Sequence, residues 1–101
     1  MITAIIQARM GSTRLPGKIM MLVRNKPLLH YTINQVLQSK EIDKLVIATT
    51  DSPQDDQIVK FVDLYPVEIF RGSEEDVLDR YYQCAKKYAA DIIIRITSDC
   101  P

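Results

Sequence analysis

At 101 residues the chain is one domain at most, and its apolar content of 47% is ordinary for a globular core. Thirteen basic and thirteen acidic side chains cancel, which argues against nucleic acid or an anionic membrane surface as the general partner. No apolar run approaches a membrane span, residues 1–10 lack a signal peptide's cationic start and long apolar middle, and Cys84 and Cys100 form neither a metal spacing nor a C-x-x-C pair. The expectation is a cytoplasmic protein with reduced thiols.

Residues 2–8 are a short apolar run without helical period, which predicts a strand buried on both faces of a parallel sheet. Residues 7–18, Gln-Ala-Arg-Met-Gly-Ser-Thr-Arg-Leu-Pro-Gly-Lys, follow and predict a phosphate-holding loop. Gly11 and Gly17 let backbone approach a ligand, Ser12 and Thr13 offer hydroxyls, and Arg9, Arg14 and Lys18 concentrate positive charge. Pro16 stiffens the turn, which lowers the ordering cost of binding. The Walker spacing G-x-x-x-x-G-K-S/T fails, because five residues separate Gly11 from Gly17 and Ile19 follows Lys18. The dinucleotide pattern G-x-G-x-x-G fails as well. The competing reading is an exposed basic turn without a ligand.

Residues 19–26 are mixed, with a turn at Asn25 and Lys26, and residues 27–39 carry Leu29, Ile33, Val36 and Leu37 at helical spacing. Residues 44–50 predict a second buried strand, completing a right-handed βαβ unit. Ser52 is the expected cap of the next helix, with Pro53 first inside it and Asp55 as the return acid; Ile58, Phe61, Val62 and Tyr65 point to the core. A third strand is expected over 67–70. Ser73 and Asp76 suggest another capping box before a helix over 76–89, with Val77, Leu78, Tyr81, Ala85 and Tyr88 inward. Residues 92–96 complete the strands, and 97–101 form the loop beyond them.

Strands alternating with helices imply a parallel sheet covered on both faces, wound in the order 3-2-1-4. The first and fourth strands then flank a crevice at their carboxyl ends, which brings the loop starting at Arg9 to face the loop carrying Asp99. Lys18 and Arg9, with Arg14 and Ser12 nearby, suit a triphosphate whose departing pyrophosphate needs fixed cations. Asp99 suits Mg2+, which prefers carboxylate, water and phosphate oxygens, or else it is a turn acid. Arg71 and Ser73, on the same rim, either read a base or ribose or serve as surface charge and helix cap. Gln7 and His30 read as structural, Cys100 lacks a partnering His, and Asp55, Asp56, Glu74 and Glu75 read as first-turn acids.

Runs 5–18, 46–50, 71–82 and 95–101 together resemble the sugar cytidylyltransferases, in the branch of spore-coat polysaccharide biosynthesis protein F, itself similar to CMP-KDO synthetase and acylneuraminate cytidylyltransferase. The resemblance spans essentially the whole chain. It implies a three-layer Rossmann-like nucleotide-diphospho-sugar transferase fold. Members are more than twice as long, so residues 1–101 are expected to be the amino-terminal nucleotide-binding part of one truncated domain, inactive by itself. It also implies a Mg2+-dependent enzyme of surface polysaccharide biosynthesis that activates a sugar or sugar acid with CTP and releases pyrophosphate; a homodimer is compatible. Carried over residue by residue, Arg9 and Lys18 are catalytic, Ala8, Gly11, Ser12, Arg14, Arg71 and Ser73 join them in holding the nucleotide, and Asp99 binds metal. A second metal ligand is expected beyond Pro101. The alternative from another class is a non-catalytic nucleotide-binding or partner-binding module.

Overall fold

The computed structural model describes residues 2–11, 18–88 and 92–97, without the side chains of Lys18, Val77 and Thr97. In chain order these form β1 (Ile2–Gln7), a single 3-10 turn (Lys18–Met20), β2 (Leu22–Val23), β3 (Lys26–Pro27), α1 (Leu28–Leu37) and β4 (Lys44–Thr50). A second 3-10 turn (Pro53–Asp55), α2 (Asp56–Val62), β5 (Glu68–Gly72), α3 (Val77–Tyr88) and β6 (Ile92–Thr97) follow. The four longer strands form one parallel sheet in the order β5-β4-β1-β6, which is the expected 3-2-1-4 winding.

The alternation of a two-sided strand divides the core. Ala4, Ile6 and Ala8 face one way, joining Leu29 and Ile33 of α1 and Ile58 and Val62 of α2. Ile5 faces the other way, joining Val46, Ala48 and Cys84 of α3. β1 is therefore buried on both faces, Thr3 and Gln7 included, because helices cover both. β6 is different. It pairs with β1 along one edge, and Ile92 and Ile94, in register with Ile2 and Ala4, stand 54% and 40% exposed.

Several local expectations change. The turn near residue 25 is a two-residue hairpin, β2 with β3, whose Arg24 and Asn25 take φ of 53° and 68°. That left-handed pair matches the twist of the short ribbon, and the Tyr31 hydroxyl pins it to α1 by donating to the Val23 carbonyl at 2.6 Å. In α1, Thr32 is buried with Leu29, Ile33 and Val36, whereas Leu37 turns outward. In α3 the inward stripe runs through Arg80, Tyr81, Cys84, Ala85 and Tyr88. Leu78 lies two residues from Arg80, on the opposite side of the helix, and is 71% exposed, which corrects its placement in the core.

Candidate functional site

The carboxyl rim of the sheet carries two exits of interest, after β1 and after β5. At the first, Ala8 is buried and donates its N–H to the Ala48 carbonyl at 3.0 Å, so the strand pairing persists to the threshold of the loop. Arg9 and Gly11 lie just beyond it and line a hollow of about 430 Å³ with Gln54, Glu74 and Glu75. A side chain at Gly11 would meet the Gln54 amide, whose Nε2 lies 2.9 Å from where a Cβ would stand. The hollow thus joins the loop after β1 to the segment after β5.

Residues 50–56 connect these exits physically. Asp55 is fully buried; it accepts the Met10 N–H on Oδ1 at 2.7 Å and the Thr50 hydroxyl on Oδ2. The Thr50 oxygen in turn accepts the Ser52 N–H at 3.1 Å. Arg71 binds the same segment from the other side, Nε to the Thr50 carbonyl at 2.7 Å, Nη2 to the Ser52 carbonyl at 2.9 Å and Nη1 to Asp56 at 2.8 Å. All three Arg71 nitrogens are therefore engaged within the chain. Ser73 accepts the Asp76 N–H on its hydroxyl at 3.1 Å, and a hydroxyl that accepts can still donate.

Beneath the rim lies a buried guanidinium. Arg80, 2% exposed, donates Nη1 to the Ser73 carbonyl at 2.8 Å and Nη2 to Gln7 Oε1 at 3.0 Å, and its Nε has no hydrogen-bond partner among the described residues. Burial, followed by the nearby Arg9 charge, lowers its pKa from the ordinary arginine value; Asp55 opposes this and Arg95 adds to it. Gly72 makes room for it, since a Cβ there would lie 3.0 Å from Arg80 Cγ. Gln7 has the structural place expected of it. His30 does too: the Asn34 amide lies 3.0 Å from its Nε2 and the Tyr65 hydroxyl 2.6 Å from its Nδ1.

Among the predicted site residues, Ala8, Arg9, Gly11, Arg71 and Ser73 thus gather along one rim, with Lys18 opening the 3-10 turn where the chain returns. Ser12, Arg14, Asp99 and the side chain of Lys18 fall outside the described residues. Sequence reasoning missed Asp55, Thr50 and Arg80. The Ser52-Pro53-Gln54-Asp55 spacing suggested a capping box, but neither Ser52 nor Asp55 makes a side-chain capping bond. Asp55 turns inward, where the Met10 N–H and the Thr50 hydroxyl meet it. Among the described residues, no three His, Cys, Asp or Glu come together as a metal site.

Comparison with known proteins adds an independent line. The family model described as cytidylyltransferase matches residues 3–101. The chain is 45% identical to spore coat polysaccharide biosynthesis protein SpsF of Bacillus subtilis, over 96% of this chain and 42% of that protein. It is 30% identical to 3-deoxy-manno-octulosonate cytidylyltransferase of Pelobacter propionicus, over 99% of this chain and 38% of that one. A solved cytidylyltransferase from Leptospira borgpetersenii superposes with a TM-score of 0.92 at 41% identity, over 99% of this chain and 42% of the other. CMP:2-keto-3-deoxy-manno-octonic acid synthetase, solved in complex with CTP, superposes at 0.78 with 25% identity, over 96% and 39%. The chain spans about two fifths of the length of these relatives.

Proposed function

The chain belongs to the cytidylyltransferase family, and from that premise we propose that residues 1–101 are the amino-terminal nucleotide-binding part of a single domain that transfers a cytidylyl group from CTP to a sugar or sugar acid in surface polysaccharide synthesis. The observation that carries this reading is the rim where Arg9 and Gly11, leaving the central strand, share one hollow with the segment after β5. Nucleotides bind outside the carboxyl ends of a doubly wound sheet where the strand order reverses, which here is beside β1, the strand that Arg9 and Gly11 leave.

In this reading Arg9 and Lys18 grip the triphosphate, with Ser12 and Arg14 beside them. A hydroxyl oxygen of the acceptor bonds to the alpha phosphorus and gives up its proton to solvent, while the bond from that phosphorus to the bridging oxygen breaks and pyrophosphate departs. The chain contributes position and fixed positive charge where negative charge builds. Arg71 holds the rim in shape with three of its five N–H groups and, together with the Ser73 hydroxyl, is offered to the base or ribose. Mg2+ is assigned through Asp99; the described residues do not build its site. When bound, the ion would offset phosphate charge.

Calorimetric titration with CTP at low and high salt tests the reading. Binding should weaken with salt and in Lys18→Ala and Arg9→Ala, because cations face a polyanion. Absence of heat with CTP, UTP and ATP at millimolar concentration on folded protein would rule the nucleotide site out.

A further inference from the structure

One buried acid supports the rim where the chain departs from the central strand. Asp55 occupies the N-cap position of α2, where an aspartate ordinarily accepts an N–H of its own helix. It makes no such bond. Both of its oxygens instead face away from α2, one receiving the Met10 N–H across 45 residues of sequence and the other the Thr50 hydroxyl. A carboxyl group with no exposed surface gives up its hydration, and these two donors stand in for the lost water. An internal strut does not require a carboxyl group, since a neutral amide or hydroxyl can join two loops. The donor it serves is also particular: Met10 lies between Arg9 and Gly11, both lining the rim hollow, and Gln54, next to Asp55, reaches the space over Gly11.

Resting on the nucleotide reading above, we propose that Asp55 is the positioning residue for the phosphate end of this site. By fixing the Met10 amide it sets the backbone on which Arg9 and Gly11 stand. Its second oxygen, through Thr50, ties that backbone to the segment gripped by Arg71, and the Asp51 N–H completes the tie by donating to the Gly72 carbonyl at 3.0 Å. The two rim exits therefore share one support.

The test compares CTP with inorganic tripolyphosphate, which presents the phosphates without base or ribose, by calorimetry on the folded chain. Asp55→Ala, which removes both bonds of the acid, should weaken both ligands by about tenfold or more and to the same degree. Asp55→Asn retains one acceptor for Met10 and should recover part of the affinity; Thr50→Val, which removes the second tie, should also weaken both ligands. Faster hydrogen exchange of the Met10 amide should accompany each loss. A merely structural acid lowers the unfolding temperature while folded variants bind as wild type, and that result overturns the proposal. So does a loss confined to CTP, which places the effect at the base end. Should Asp55→Ala fail to fold, Thr50→Val decides by the same comparison. Wild-type protein that binds neither ligand overturns the nucleotide reading and this proposal together, whereas normal wild-type binding with unaffected variants overturns this proposal alone.

Discussion

Cys84 shows what burial does to a single group. Its thiol has no exposed surface, and desolvation pushes its pKa up to about 11 from an ordinary 9.0, with Lys87 opposing. Below pH 9 the thiol is protonated whether the chain is folded or not. Between roughly 9 and 11 only the unfolded chain releases the proton, so stability falls as pH rises through this window, by about 3 kcal/mol at most. Burial also raises Tyr88 and Tyr65 from an ordinary 10.0, with the same sign from about pH 10 upward, so they share the upper part of this window. In a Cys100→Ser background, Cys84→Ala should therefore flatten the decline of the unfolding temperature between pH 8.5 and 11, a window we choose to bracket the ordinary thiol value; parallel curves would remove the thiol from the account. Such a buried cysteine was partly legible, being four residues from Arg80 and Tyr88 on one helix stripe. Arg80 was not, because a helical wheel cannot distinguish an arginine that reaches water from one that stays beneath the rim. Gly72 was its trace, a glycine whose bare Cα lets that side chain pass.

Helix starts divide cleanly at the scale of elements. Ahead of α3, Asp76 Oδ1 accepts the Asp79 N–H at 2.9 Å, and the Ser73 hydroxyl receives the Asp76 N–H. Ahead of the Pro53–Asp55 turn, Ser52 occupies the cap position without a side-chain bond. Asp76→Ala should therefore cost about 1 kcal/mol, a fall of roughly 5 °C in unfolding temperature for a domain of this size, while Ser52→Ala stays within about 0.5 kcal/mol. Thermal unfolding of both variants checks this, and equal losses would contradict the division. The sequence signals at the two sites looked alike, a hydroxyl residue followed three positions later by an acid. What separated them was tertiary: Thr50 and Met10 compete for Asp55, whereas among the described residues no such competitor meets Asp76. The β2–β3 hairpin was hidden for a different reason, since Arg24 and Asn25 lack the Asn-Gly signal usual for its turn.

The arrangement of the whole molecule was the most legible level. Alternating strands and helices with short connections leave few right-handed windings, and β5-β4-β1-β6 is the commonest of them. The rim follows from that winding, but its internal ties do not, because bonds spanning 21 or 45 residues leave no periodicity in the chain. The flank of β6 carries its own consequence, for behaviour in concentrated solution. Ile92 and Ile94 offer an apolar stripe beside strand backbone, and the formal net charge of +0 at pH 7 supplies no long-range repulsion between molecules. Particles of this chain should therefore cohere reversibly near neutral pH, with light scattering that rises faster than concentration. Ile94→Lys puts a charge in the middle of the stripe and should bring scattering back to proportionality without changing the unfolding temperature by more than a degree or two. If the variant scatters like the original, the stickiness has its source elsewhere on the surface, and the colloidal weakness is not that of this strand.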